Sequence, residues 1–232
     1  MSVQPIHYVA VEGVIGVGKS SLCRGLAHYW GGQPIMEEVE GNPFLPDFYK
    51  DPRRFAFQTQ LFFLLSRYRQ QIGLVQRDIF KPLTVCDYLF QKDKIFASIN
   101  LDDHEMALYD QILPLLERDV PRPDRVVFLQ ASLSTLLERI RKRGRPFEKD
   151  IAPEYLETLM EAYNHFFFHY EGAPLLIVNT DHVDFTQSRQ HLEELAQRVS
   201  DHRDGTVYYA PVASDEFMGR KVPRRPRGGE SA

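Results

Sequence analysis

The residues best suited to chemistry cluster first at Glu12-Gly13-Val14-Ile15-Gly16-Val17-Gly18-Lys19-Ser20. Three glycines let the backbone wrap tightly, so that consecutive N–H groups converge on phosphate oxygens. Lys19 adds a mobile cation, and the Ser20 hydroxyl is placed to hold Mg²⁺. The expected phosphate cradle is Gly13, Val14, Ile15, Gly16, Val17, Gly18, Lys19 and Ser20, with Ser21 in the helix that follows. Two acids, Glu37 and Glu38, stand further on, where one could accept a hydroxyl proton. A solvated acidic turn explains that pair equally well on sequence alone. Asp87 closes a short apolar run, Leu83–Cys86, as does the carboxylate that orders Mg²⁺ in many nucleotide sites. Strands also end in Asp for turn reasons alone. A basic cluster, Arg139, Arg141, Lys142, Arg143 and Arg145, suits a lid whose guanidinium groups neutralise a transferring phosphoryl group. A cationic helix C-terminus favoured by the dipole explains one or two of these residues better than five.

These groups need a scaffold, and the apolar pattern supplies one. The β-branched run Ile6–Val11 reads as a strand, and Ser20–Trp30 as the helix after the glycine loop. That strand, loop and helix order is the context a phosphate-binding P-loop requires, and the helix adds its positive N-terminal end. Gln33–Val39 reads as a second strand with Glu37 and Glu38 at its carboxyl end, where ligands gather in open α/β sheets. Pro52 opens a long helix to about Asp78, whose Phe55, Leu61, Phe62, Leu65, Tyr68 and Ile72 recur at core spacing. Gln60 and Arg67 are two turns apart and share one face, either as a solvated edge or as a ligand-reading pair. The sequence by itself favours the solvated edge.

Lys81-Pro82 precedes the third strand, and helical segments follow over Asp93–Ile99 and Asp103–Arg118. Arg125–Ala131 reads as a fourth strand, Ser132 as a helix cap, Pro153–Tyr170 as an aromatic helix, Ala173–Asn179 as a fifth strand and Phe185–His202 as the last helix. Strand and helix alternate throughout, so the expected fold is α/β, a five-stranded parallel sheet wrapped by helices with a short arginine-rich lid. Residues 1–204 form the expected domain, and 205–232, Pro/Arg-rich over Lys221–Arg227, an unstructured tail.

Composition narrows the classes. The chain of 232 residues has 43% hydrophobic and 26% charged residues, an ordinary balance for a protein with a substantial core. Its formal net charge of −4 argues against coating a nucleic-acid polymer, while leaving room for a small anion in a locally basic pocket. No apolar run approaches membrane-spanning length and no signal peptide is evident, so no membrane partner is expected. Two cysteines, Cys23 and Cys86, do not make a disulfide scaffold, and a cytoplasmic setting fits. The eight histidines show no metal-ligand spacing.

Together these motifs resemble the deoxynucleoside kinase family over nearly all of the chain apart from the tail. Glu12 to Ser20 matches the family's Glu-Gly-x-Ile-Gly-x-Gly-Lys-Ser/Thr loop. Glu37-Glu38-Val39 is similar to its Glu-Pro-Val motif, which implies that Glu37 is the general base. Tyr49, Gln60 and Arg67 reproduce a Tyr followed eleven residues later by Gln-x₆-Arg. The resemblance implies that Gln60 and Arg67 meet the base edge and Tyr49 the sugar 3′-hydroxyl. Arg139, Arg143, Arg145 and Glu148 match the family's arginine lid, about residues 143–152, with Glu148 as a second 3′-hydroxyl contact. Arg139 and Arg143 then face the nucleotide, and Asp184-Phe185 resembles the loop around the ATP adenine.

One departure is evident. Where eukaryotic members carry Glu-Arg-Ser, this chain has Cys86-Asp87-Tyr88, so the arginine that would touch both base catalyst and substrate is missing. The Asp-Tyr form resembles bacterial purine deoxynucleoside kinases. Alignment through Ile95-Phe96-Ala97 places Lys92 where an acid should accompany Arg67, with Asp93 next to it.

The implied activity is ATP-dependent phosphorylation of the 5′-hydroxyl of a deoxynucleoside, deoxyadenosine or deoxyguanosine, by a homodimer pairing through long helices. Glu37, Lys19, Arg143 and Arg145 are the expected catalytic residues; Ser20 and Asp87 are the expected Mg²⁺ ligands, with Asp87 also beside the substrate. A thymidylate-type monophosphate kinase would need cations around its acceptor phosphate, where this chain offers Glu37 and Glu38. A non-catalytic nucleotide switch explains the P-loop and Asp87 but not the Tyr, Gln and Arg set.

Overall fold

The computed structural model describes residues 6–75, 83–148 and 151–211. Lys81-Pro82, the expected helix turn at 76–78, lid residues 149–150 and the Lys221–Arg227 tail lie outside the described residues. The chain opens with β1 (Tyr8–Gly13), all six residues of which are buried. A strand with no polar face belongs in the middle of a sheet covered on both sides. Its turn leads into α1 (Lys19–Tyr29), which packs Leu22, Cys23, Leu26 and Ala27 inward. Each fully buried leucine of this kind contributes about 1.5–3 kcal/mol of apolar transfer free energy.

The chain continues through β2 (Gln33–Ile35), the short α2 (Leu45–Phe48) and the long α3 (Pro52–Val75), then β3 (Thr84–Cys86), α4 (Lys92–Asn100) and α5 (Asp103–Glu117). Asp102 caps α5 through a reciprocal capping box with Glu105. After β4 (Arg125–Gln130) come α6 (Leu133–Arg143), a 3₁₀ turn (Pro146–Glu148), α7 (Pro153–Phe168), β5 (Leu175–Asn179), α8 (Arg189–Asp201) and β6 (Thr206–Tyr209). Ser132 caps α6, and Gly144, at φ 68°, ends it in a left-handed turn where the lid begins.

The sheet is wholly parallel with strand order β2-β3-β1-β4-β5-β6. It therefore has six strands, where the sequence reading assigns five. Thr206–Tyr209, placed in the tail by that reading, is the sixth, and the folded part runs past residue 204. Three of its four residues are exposed, and Thr-Val-Tyr-Tyr is a β-prone run that the sequence reading passed over. On the core side Phe128 of β4 stacks on Phe167 of α7, with ring centroids 4.1 Å apart. A second cluster, built around Leu64, Phe90, Ala97, Tyr109 and Leu113, joins α3, α4 and α5. Because β1 sends the chain first to one side and then to the other, a crevice opens at its carboxyl end between β3 and β4.

Candidate active site

That crevice is the mouth of a cavity of about 850 Å³, lined from Ile15 to Ser21, by Glu37 and Tyr49, by the α3 face around Arg67, and by the arginines after α6. The glycine loop forms its floor. Gly13, Gly16 and Gly18 all have positive φ, at 151°, 88° and 109°. A Cβ at Gly16 would meet Ile140 Cγ1 at 2.8 Å, so the loop can lie against α6 only with glycine there. Lys19 folds back on the loop and donates to the carbonyl of Gly13 at 2.6 Å. Burial, and next the nearby charge of Lys92, lower its pKa to about 8, while Glu12, Glu37 and Asp87 oppose the fall.

Asp87 joins the two halves of the cavity. One carboxylate oxygen accepts from Ser20 Oγ at 2.6 Å, and the other from the backbone N–H of Glu37 at 2.6 Å. A serine hydroxyl and a carboxylate side by side are hard oxygen donors, of the kind Mg²⁺ takes together with substrate phosphates. The described residues contain no cluster of three or more His, Cys, Asp or Glu able to hold a metal.

Glu37 lies just past β2 rather than within it, and its side chain is only 12% exposed. It is not part of a solvated acidic turn. Arg67 donates to its Oε1 through Nε at 2.8 Å and Nη2 at 2.6 Å, and Lys92 Nζ reaches its Oε2 at 2.8 Å. Burial works to raise the Glu37 pKa, but the Lys92 and Arg67 charges outweigh it and hold the carboxyl well below the usual carboxylate range. Glu38, by contrast, accepts from the Ser66 hydroxyl at 3.5 Å, with no ion pair among the described residues.

Gln60 and Arg67 are each 4% exposed, which corrects the solvated-edge reading of α3. Their shared face turns to the cavity and to α4 rather than to solvent. Gln60 donates to the backbone carbonyl of Asp93 at 2.8 Å, and the Arg67 guanidinium is ion-paired with the Asp93 carboxylate. Asp93, fully buried, also accepts from Tyr109 of α5 at 2.9 Å. The acid beside Arg67 is thus Asp93, and Lys92 is the partner of Glu37. Sequence reasoning assigned neither role. A Lys-Asp pair opening a helix carries the signature of surface charge, and only α3 packing against it explains its burial. Phe63, Phe96 and Tyr155 also line the cavity, and the sequence reading singled out none of them as site residues.

Tyr49 lines the cavity with its ring against Phe48 at 5.4 Å. Burial, with Tyr155 and Glu148 close by, pushes its phenol up, so it stays a neutral hydroxyl. The lid closes on itself: Arg143 donates to Glu148 through Nε at 2.9 Å and Nη2 at 2.5 Å, and Arg145 reaches Glu148 at 3.4 Å and Glu40 at 3.7 Å. Arg139 serves as a brace, donating to the carbonyls of Val17 and Thr180 at 3.0 and 2.6 Å. Asp184 turns its carboxylate to the Thr186 backbone and hydroxyl, beside Phe185 at the rim.

The family model described as deoxynucleoside kinase matches residues 9–203. The chain belongs to the deoxynucleoside kinase family. Among family relatives, a deoxyguanosine kinase of Bacillus subtilis is 38% identical over 84% of this chain and 96% of its own length. A deoxyadenosine kinase of Lactobacillus acidophilus is 30% identical over 84% of this chain and 96% of its own length. The deoxyadenosine kinase of M. mycoides, solved with bound dATP, superposes with a TM-score of 0.72 at 25% identity, covering 84% of this chain and all of that one. The parallel sheet and glycine-loop cavity are thus those of a deoxynucleoside kinase.

Proposed function

We propose that this deoxynucleoside kinase transfers the γ-phosphoryl group of ATP to the 5′-hydroxyl of a purine deoxynucleoside, deoxyguanosine or deoxyadenosine. The observation that carries the reading is Glu37, an ionised carboxylate held between Arg67 and Lys92 and one hydrogen bond from Asp87 beside the phosphate loop. That is where an acceptor hydroxyl would meet a donor phosphate. The deoxyguanosine and deoxyadenosine kinases among the relatives support the purine preference.

Lys19 and the N–H groups of Gly16 to Ser20 would cradle the donor phosphates. Arg143 and Arg145, swung from Glu148, would meet the transferring group, and Glu148 and Tyr49 would then be released to hold the sugar 3′-hydroxyl. Gln60 and Arg67 would read the base. Ser20 and Asp87 would hold Mg²⁺, which when bound neutralises charge across the phosphates. With its pKa so low, Glu37 orients the acceptor oxygen and takes its proton late, which suits a loose transition state.

Two copies would pair through α3 and α5, whose Leu65, Leu108 and Leu115 are exposed. Both cysteines are buried and neither is in a disulfide, which fits a reducing cytoplasm. No helix among the described residues is long and apolar enough to cross a membrane. The test is a phosphoryl-transfer screen of the four deoxynucleosides and their monophosphates with ATP and Mg²⁺. Purine deoxynucleoside products are expected; products from monophosphates alone, or bare nucleotide hydrolysis, would overturn the reading.

A further inference from the structure

We infer, resting on the kinase reading above, that Lys92 is the positioning residue for the acceptor, fixing Glu37 so that one oxygen, Oε2, receives the hydroxyl proton. Each carboxylate oxygen offers about two lone-pair directions. Oε1 already accepts two donors from the Arg67 fork, Nε and Nη2. Oε2 accepts from Lys92 among the described residues, at 2.8 Å, and so keeps one direction open. Glu37 and Lys92 both line the cavity. The acceptor oxygen therefore approaches Oε2 beside the Lys92 ammonium, not Oε1.

Lys92 is not an ordinary surface lysine. It stands at the first position of α4 and is 3% exposed, with its Nζ 6.0 Å above the Phe96 ring. A buried ammonium is tolerated where an anion meets it, and among the described residues Glu37 is the carboxylate within ion-pair distance. Arg67 cannot take over this duty, because it is tied to Oε1 and to Asp93. A point charge on a flexible stem pins that oxygen from one direction.

In the step itself the 5′-oxygen forms its bond to the γ-phosphorus as the bond from that phosphorus to the bridging oxygen of ADP breaks. The hydroxyl proton passes to Glu37 Oε2, and Lys92 keeps its own protons throughout. Lys92 acts by place and charge.

The test compares kcat and KM for a purine deoxynucleoside in the wild type, K92M and K92R. Loosening Oε2 in K92M should lower kcat about 100-fold, as misplacement of a reacting group by an ångström does, with KM changed less than about threefold. K92R should recover turnover to within about tenfold of wild type. A K92M kcat within about threefold of wild type, or a change confined to KM, would overturn the assignment. Should K92M fail to fold, K92A with added methylammonium decides: amine-dependent gain in kcat supports the role, and its absence removes it. A wild type inert toward every deoxynucleoside would remove the kinase reading, and this inference with it. An active wild type with an equally active K92M removes only the role of Lys92.

Discussion

The hydroxyl of Ser20 donates to the carboxylate of Asp87 over 2.6 Å, fastening the helix after the glycine loop to the end of β3. Replacing Asp87 with Asn can keep the hydrogen bond from Ser20 but removes the negative charge and one of the two carboxylate oxygens. The Mg²⁺ concentration needed for half-maximal turnover should rise about 10- to 100-fold. A magnesium titration of initial rates reads this directly, and an unmoved midpoint would take Asp87 out of metal binding.

Glu37→Gln should lower kcat by at least about 100-fold while deoxynucleoside binding, followed by isothermal titration, persists. The same change leaves the buried Lys92 facing a neutral amide and Arg67 paired with Asp93 alone. Stability should drop by up to about 3 kcal/mol, visible as a lowered Tm. A variant that keeps wild-type turnover would exclude Glu37 from the acceptor site.

The P-loop, the strand alternation and the lid arginines were legible because each is written in local order: glycines at fixed steps, β-branched runs, a capped helix ending in Gly144. Which face of α3 is buried was not. Gln60 and Arg67 carry the same letters whether they meet water or Asp93, and only the packing of α4 decides. The same holds for Lys92, whose partner is 55 residues away in sequence. β6 escaped notice for a different reason. Thr206–Tyr209 has β-prone letters but is only four residues long, and its pairing with β5 is what takes it into the sheet.

Lys19 titrates near 8 in the nucleotide-free protein, chiefly because of burial. Donor phosphates would favour the charged ammonium and raise that value. Between about pH 8 and 10, ATP binding should therefore take up protons, and below pH 7 this group should contribute none. Calorimetric titrations in buffers of different ionisation enthalpy measure the uptake. Proton release across that window would contradict the placement of Lys19 beside the phosphates.

If two copies pair through α3 and α5, Leu115→Glu should weaken the pairing, because this side chain is 70% exposed in the isolated chain. Light scattering after size exclusion should then show a monomer where the wild type gives a dimer. Retained dimers in a double variant with Leu108→Glu would move the interface elsewhere.

Arg67 holds Glu37 with one edge of its guanidinium and Asp93 with the other. On the proposed reading one side chain thus serves both recognition and chemistry, and the two traits cannot drift apart independently. A lineage or an engineer altering the accepted base at Arg67 or Asp93 would also disturb the reacting carboxylate. The aromatic wall is tied to the same pair of cations, since Phe63 lies under the Arg67 guanidinium and Phe96 under Lys92, so substitutions there spare the ion pairs but still bear on the groups that hold Glu37.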